Sequence, residues 1–295
     1  MYTARRGRLP DHEALAAFTR DTFDWGDYVA DAFPEWLDDE AVEVIVVEHE
    51  TDGPVAVATL KRPGPHQAWM AAARVHPDHR RKGLASLMND TGVAWARARG
   101  DRVARLIIED WNEAAQRQVE ALGYRHTSQW WHVGRDGLGG DPNPTRNGGR
   151  RVPGPERLEP ATAMGPADAW PVWERSGLIR AARGLIGVHW TWWRLTIDDL
   201  GRFAAEGTLW QAPSGWVVAE ADRDADTLQV YWLCGGDDDL RRLTKACVDL
   251  AVDLGLDGIR LFGPAHDPLG EALAKLGLDD PGTLGIWEKP LLPVA

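Results

Sequence analysis

Short apolar segments alternate with longer amphipathic ones through the first half of the chain. β-branched or alternating runs indicate strands, and apolar residues three and four positions apart indicate helices. The pattern predicts strands at 2–9, 42–48, 54–61, 67–75, 103–109 and 124–133. It predicts helices at 10–23, 28–37, 84–99 and from Asp110 to Gly123, where Asp110 and Glu113 suggest a capping box.

The second half repeats the later part of this order. A strand, a long helix, a strand, a short helix and a last strand are predicted at 228–233, 240–254, 259–262, 269–276 and 284–290. Between the halves, residues 134–155 are rich in Gly, Pro, Asn and Arg and lack apolar periodicity, which is typical of a linker. We therefore predict a tandem duplication with domains at 1–135 and 156–295, joined by a linker at 136–155.

Composition excludes several classes of protein. The 295 residues carry a formal net charge of −12, which does not favour nucleic-acid binding. Two cysteines are too few for a disulfide scaffold or a cysteine-based zinc site, so no metal is expected. Since no apolar run approaches the ~20 residues of a membrane span and no signal peptide is evident, the expected location is the cytoplasm.

The most informative segment lies between the predicted strand 67–75 and the predicted helix 84–99. Arg80, Arg81 and Lys82 stand directly before Gly83. Glycine lets a backbone approach a ligand closely, and a helix N-terminus offers unpaired N–H groups and a positive dipole end. The segment therefore suits a pyrophosphate, although a solvated basic turn before an ordinary helix is the alternative.

These residues carry a resemblance to a known family. Arg80, Gly83 and Ala85 match the Gln/Arg-x-x-Gly-x-Gly/Ala signature of the GCN5-related N-acetyltransferases (GNATs), and Asn112 with Ala115 and the run 122–124 match later family motifs. The resemblance covers roughly residues 2–133. It implies an α/β fold with tandem acetyltransferase-like domains, a mixed, mostly antiparallel sheet flanked by helices, and acetyl-CoA as cosubstrate.

The resemblance also implies where the cosubstrate binds. The strand ending at Val75 would diverge from the strand ending near Glu109, and the pantetheine arm would lie between them. The implied cofactor-binding residues are Ala73, Arg74, Val75, Arg80, Arg81, Lys82, Gly83, Leu84, Ala85, Ser86, Asn112 and Ala115.

The resemblance identifies the catalytic residues less completely than the cofactor-binding residues. Many family members place a tyrosine, as acid to the leaving thiolate, where this chain has Val119. Either the thiolate leaves without a side-chain acid, or Tyr124, His126 or His132 serves. Tyr124 is the candidate among these three side chains, and a core aromatic at a helix end is its alternative role. Glu109 is the candidate acceptor for the amine proton, with Asp110 and Glu48 as weaker alternatives.

The acceptor substrate is expected at the link between the first two predicted helices and the helix after it. Asp24, Trp25, Tyr28 and Trp36 combine carboxylate and aromatic groups, which suit a cationic amine. Trp36 could equally be a core residue.

The second half has Asp237, Asp238 and Asp239 where the first has its three cations, so we expect it to be degenerate and not to bind CoA. Its Trp190, Trp192 and Trp193 either pack between the halves or line the acceptor pocket. The predicted function is acetyl-CoA-dependent N-acetylation of the amine of a small molecule, amino acid or peptide. The alternative is a non-catalytic acyl-CoA-binding or small-molecule sensor protein.

Overall fold

One continuous sheet runs through both halves of the chain. The computed structural model describes residues 1–20, 22, 26–138, 156–278 and 282–291. The strands are β1 (Tyr2–Arg6), β2 (Val42–His49), β3 (Gly53–Gly64), β4 (Gln67–Val75), β5 (Val103–Glu109), β6 (Arg125–Arg135), β7 (Glu159–Pro160), β8 (Leu185–Val188), β9 (Thr191–Arg194), β10 (Leu209–Ala212), β11 (Gly215–Asp222), β12 (Thr227–Cys234), β13 (Gly258–Pro264) and β14 (Gly282–Pro290). The helices are α1 (His12–Thr19), α2 (Val29–Asp38), α3 (Leu84–Ala98), α4 (Glu113–Ala121), α5 (Gly165–Arg175), α6 (Gly177–Ala182), α7 (Ile197–Ala205), α8 (Leu240–Asp253) and α9 (Asp267–Ala274).

The predicted order of elements is confirmed in both halves, with differences at the ends. The first predicted helix begins as a 3₁₀ turn at Leu9–Asp11, and α1 ends at Thr19. The predicted capping box of α4 is wrong. Asn112 is the N-cap, and its side chain accepts a hydrogen bond from the Ala115 N–H, while the Asp110 carboxylate accepts from Gln129. The α/β fold with a mixed, mostly antiparallel sheet is confirmed.

Within the described residues, twelve strands form this sheet, in the order β1-β2-β3-β4-β5-β14-β6-β13-β12-β11-β10-β7. The two halves exchange their last strands. β14, from the second half, pairs antiparallel with β5, and β6, from the first half, pairs antiparallel with β13. β6 and β14 also pair with each other. Each half therefore needs a strand of the other to complete its part of the sheet, while the domain boundaries themselves stay a prediction.

The sheet of the first half is covered on both faces. Side chains on a strand point alternately to opposite faces, and this alternation separates two clusters along β2. Val44 and Val46 pack with the α1–α2 pair, whereas Ile45 and Val47 pack on the side of α3. A strand buried on both faces explains why β2 has consecutive apolar residues in place of strict alternation with polar ones.

The halves meet through tryptophans and a partly buried ion pair. Trp192 of β9 packs against Trp69 of β4 and Trp130 of β6, with ring centroids 5.6 and 5.7 Å apart. Nearby, the Arg105 guanidinium of β5 donates to Glu288 of β14 at 2.7 Å and to Gln67 of β4 at 2.6 Å. These contacts hold β4, β5 and β14 together at the end where β4 and β5 are still paired.

No helix among the described residues is long and apolar enough to cross a membrane.

Candidate active site

A V-shaped opening separates β4 from β5. The two strands are parallel and pair over only three positions, from Gln67 with Val103 to Trp69 with Arg105. Beyond them, a bulge in β4 places Ala72 and Ala73 opposite Ala58 of β3, and Ala72 adopts a positive φ of 55°. A bulge bends its strand and increases the local twist, so the end of β4 turns away from β5. The divergence predicted from the resemblance is confirmed.

This opening is a cleft of about 910 Å³. Nine of the eighteen predicted site residues line it: Tyr28, Trp36, Ala73, Arg74, Val75, Ala85, Glu109, Asn112 and Ala115. Because β4 beyond Trp69 pairs only with β3, the backbone groups on its β5 side face the cleft without a strand partner among the described residues. An extended ligand can add to such an edge by backbone hydrogen bonds.

The cationic loop adjoins the start of α3, whose Ala85 lines the cleft. Arg80, Arg81 and Lys82 are exposed, and Arg81 and Gly83 have positive φ angles of 61° and 80°. Gly83 is the N-cap of α3 and offers no side-chain cap. The first helical bond runs from the Leu87 N–H to the Gly83 carbonyl at 3.0 Å, so the N–H groups of Leu84, Ala85 and Ser86 lack intrahelical acceptors. Left-handed backbone, open N–H groups and three cations together form a site suited to an anion.

Glu109 ends β5 on the far side of the opening and is half-buried. Burial raises the pKa of its carboxyl, because the charged form loses solvation, and the positive charge of Arg74 partly opposes this shift. A carboxylate with a raised pKa is the better proton acceptor near neutral pH. The placement of Glu109 on the cleft wall therefore suits a base.

Tyr124 does not line the cleft. Its side chain is buried, and its hydroxyl donates to the Asn89 side-chain oxygen at 3.0 Å. Burial raises the pKa of Tyr124 well above its usual value. Asn89 does line the cleft, as does Val119 at the position where many relatives have tyrosine. Tyr124 as the acid stays a prediction, and its connection to the cleft runs through Asn89.

Two predicted acceptor residues can be placed. Tyr28 precedes α2, and its ring meets that of Trp36 edge to face with centroids 6.0 Å apart. Arg74 lies over the Tyr28 ring at 5.7 Å and forms an ion pair with Asp27 at 2.6 Å. Trp36 is largely buried in the core yet contributes to the wall, so its contact with an acceptor stays a prediction. The predicted residues Asp24 and Trp25 lie outside the described residues.

Sequence reasoning missed one part of the cleft wall and left another as one of two alternatives. The first is Trp111, which lies between β5 and α4 and is 67% exposed. An exposed tryptophan next to the motif residue Asn112 is a signal that could have found it. The second is the run from His189 to Thr191, which the second half contributes between β8 and β9. No local pattern shows that this hairpin reaches the cleft of the first half.

The tip of that hairpin has an unusual backbone. His189 and Trp190 both have positive φ, at 47° and 58°, which costs on the order of 1 kcal/mol per non-glycine residue. The His189 Nε2 atom lies 2.5 Å from Glu220, whose carboxylate also accepts a bond from the Tyr231 hydroxyl at 2.7 Å. Trp192 and Trp193 are buried, whereas Trp190 is exposed at the cleft. Trp192 and Trp193 therefore pack between the halves and Trp190 lines the cleft, while its contact with an acceptor stays a prediction.

In the second half, the space between the strands that correspond to β4 and β5 is almost filled. β12 and β13 also pair in parallel over a short stretch, from Thr227 with Gly258 to Val230 with Leu261. Between their diverging ends a void of only about 10 Å³ remains, surrounded by Trp130, Trp173 and Trp232 among others. Large aromatic side chains fill the space where the first half is open. Together with Asp237–Asp239, this filling supports the expectation of a degenerate second half, which stays a prediction.

Comparisons with known proteins agree with this geometry. Residues 12–124 match the model of the acetyltransferase (GNAT) family. A solved GCN5-related N-acetyltransferase from Sphaerobacter thermophilus superposes on 100% of this chain and 97% of its own, with 16% identity and a TM-score of 0.66. A solved tandem GNAT protein from the clavulanic acid biosynthesis pathway covers 100% of both chains with 13% identity and a TM-score of 0.60. A comparison with curated protein sequences gives no significant match.

Proposed function

Because residues 12–124 belong to the acetyltransferase (GNAT) family and the whole chain has a tandem GNAT fold, we propose that this protein is an acetyl-CoA-dependent N-acetyltransferase. Its acceptor is the amine of a small molecule, an amino acid or a peptide. The observation that carries the proposal is the cleft between β4 and β5, which adjoins a helix N-terminus without a side-chain cap and three exposed cations.

The cosubstrate fits this site in two parts. The pyrophosphate accepts hydrogen bonds from the N–H groups at the start of α3 and is balanced by Arg80, Arg81 and Lys82. The pantetheine arm lies along the open edge of β4 at Ala73–Val75, where backbone groups face the cleft. In Asn112 the side-chain oxygen caps α4, so its amide nitrogen is the group that remains for the arm.

Acetyl transfer then requires deprotonation of the amine, stabilisation of the oxyanion and release of the thiolate. Glu109 takes a proton from the acceptor ammonium, directly or through water, since an aliphatic ammonium has a pKa of about 10.4. The neutral amine attacks the thioester carbonyl, and a backbone N–H near Val75 stabilises the oxyanion. The acetylated nitrogen releases its extra proton to solvent as the C–S bond breaks, and CoA leaves as a thiolate that takes its proton from solvent, because Val119 offers none.

The acceptor lies between walls from both halves. Tyr28 and Trp36 form one aromatic side, and His189 with Trp190 form another, which suits a cationic amine through π contacts. Lys61 also lines the cleft and provides a cation for an anionic group on the acceptor. An amino acid or peptide carries both a cationic amine and an anionic carboxylate.

The test measures free thiol after the full-length protein is mixed with acetyl-CoA and a set of amines. We expect thiol to appear only when an amine is present and in proportion to its acetylated product. Calorimetric binding of acetyl-CoA without amine-dependent thiol release would instead support the acyl-CoA sensor alternative. Absence of any binding would contradict both functions.

A further inference from the structure

Two histidines and an aspartate converge at one end of the first-half sheet, outside the cleft. His49 is the last residue of β2, and Asp52 lies in the turn that leads to β3. His79 belongs to the 3₁₀ turn Pro77–His79, directly before Arg80 of the cationic loop. The chain thus brings three possible metal ligands from two separate segments to one place.

The possible ligand atoms lie close together, although not yet at the spacing of a coordination shell. His49 Nδ1 lies 2.9 Å from Asp52 Oδ2, and His79 Nε2 lies 3.2 Å from the same oxygen. The three atoms all fall within 4.8 Å of one another. Tetrahedral zinc with bonds of about 2.0–2.1 Å places its ligand atoms about 3.4 Å apart, so a small shift of Asp52 would admit an ion.

Supporting groups orient these ligands. The Tyr2 hydroxyl lies 2.9 Å from His79 Nδ1, the ring nitrogen that points away from Asp52. Metal-bound histidines usually donate their other N–H to such a partner, which fixes the ring. The Thr51 hydroxyl donates to Asp52 Oδ1 at 2.8 Å, which leaves Oδ2 as the oxygen directed at both imidazoles.

We propose that His49, Asp52 and His79 bind a divalent transition-metal ion of the zinc type, with water completing the coordination. Two imidazoles and one carboxylate select such an ion over Mg²⁺ or Ca²⁺, which prefer oxygen ligands. Because His79 directly precedes Arg80, the ion fastens the base of the cationic loop to the β2–β3 turn. The site does not depend on the proposed acetyl transfer.

The pattern of the sequence gives no sign of this site, because His49 and Asp52 lie far along the chain from His79. A hydrogen-bonded His–Asp–His network without a metal is the competing account. A matched control distinguishes the two. His266 Nε2 lies 2.9 Å from Asp237 in a similar exposed pair, and among the described residues no third ligand joins it.

The experiment titrates ZnCl₂ and MgCl₂ into the chelator-treated, tag-free full-length protein by calorimetry. We expect one Zn²⁺ per chain and no saturable Mg²⁺ binding. Asp52→Asn should weaken Zn²⁺ binding at least about tenfold, and Tyr2→Phe about tenfold through the lost support of His79. Asp237→Asn should leave the affinity unchanged.

Circular dichroism checks that each variant is folded, and both Tyr2→Phe and Asp52→Asn are close in size to the residues they replace. If wild-type protein shows no stoichiometric Zn²⁺ binding, or if Asp52→Asn and Asp237→Asn bind it equally well, the cluster is only a hydrogen-bond network. Either result overturns the proposal while leaving the proposed acetyl transfer untouched.

Discussion

Replacing Gly83 by glutamate should abolish most of the affinity for acetyl-CoA while leaving the fold intact. A Cβ at Gly83 would meet no atom within 4 Å, so the substitution causes no clash. Its φ of 80° is unfavourable for any L-residue and costs about 1–2 kcal/mol of stability. The new carboxylate stands at the N-cap of α3, where it competes with phosphate for the same N–H groups.

The loss of affinity for acetyl-CoA follows from charge repulsion as well as from competition for the N–H groups. A carboxylate about 5 Å from a bound phosphate charge repels it by about 1 kcal/mol in water and about 3 kcal/mol at an effective dielectric constant near 20. Since 1.4 kcal/mol corresponds to tenfold in affinity, repulsion alone weakens binding by roughly 5- to 150-fold.

Gly100 offers a matched control for strain. It also has a φ of 80°, is exposed, and has no atom within 4 Å of a Cβ, but it follows the C-terminal end of α3. Gly100→Glu should therefore lose at least as much stability as Gly83→Glu and bind acetyl-CoA normally. Calorimetry measures both affinities, and chemical denaturation measures both stabilities. Equal affinity in the two variants would refute the assignment of the pyrophosphate to this loop.

Three further predictions address the chemistry and the packing. Glu109→Gln should lower kcat by about 100-fold or more. The wild-type rate should fall as pH drops through the raised pKa of Glu109, because only the ionised carboxyl takes the amine proton, and this acidic limb should disappear from the variant's pH profile. The pH profile of kcat for Tyr124→Phe should match that of the wild-type protein, and neither should fall at alkaline pH. A bell-shaped wild-type profile whose alkaline limb vanishes in the variant would make Tyr124 the acid. Trp192→Ala should cost about 3–5 kcal/mol in denaturant unfolding, because the side chain is buried between Trp69 and Trp130, and a loss below 1 kcal/mol would contradict its packing role.

The sequence was most informative where local pattern determines structure. The loop before α3 could be predicted because its cations, its glycine and the helix start lie within a few consecutive residues. The divergence of β4 from β5 came from the family resemblance, and its local cause, the bulge at Ala72, has no signature in a run of alanines.

Local sequence patterns could not predict which strands pair when they lie far apart in the chain. The position of β14 between β5 and β6 depends on which strand edges meet, and an alternating pattern fits any partner of suitable length. For Trp190 the sequence left two alternatives open, because its hairpin reaches the cleft through the packing of the two halves. Aromatic filling of the second cleft by Trp130 and Trp173 likewise joins residues from different halves.

The measurement that tests the central claim most directly follows an isotope-labelled acetyl group from acetyl-CoA into an amine library by mass spectrometry. With the full-length protein, we expect labelled amide and free CoA to accumulate in equal amounts, and Gly83→Glu to abolish both at acetyl-CoA concentrations that saturate Gly100→Glu. Acetyl-CoA that binds the protein but remains intact across cationic amines, amino acids and peptides would contradict an acetyltransferase and indicate a binding protein.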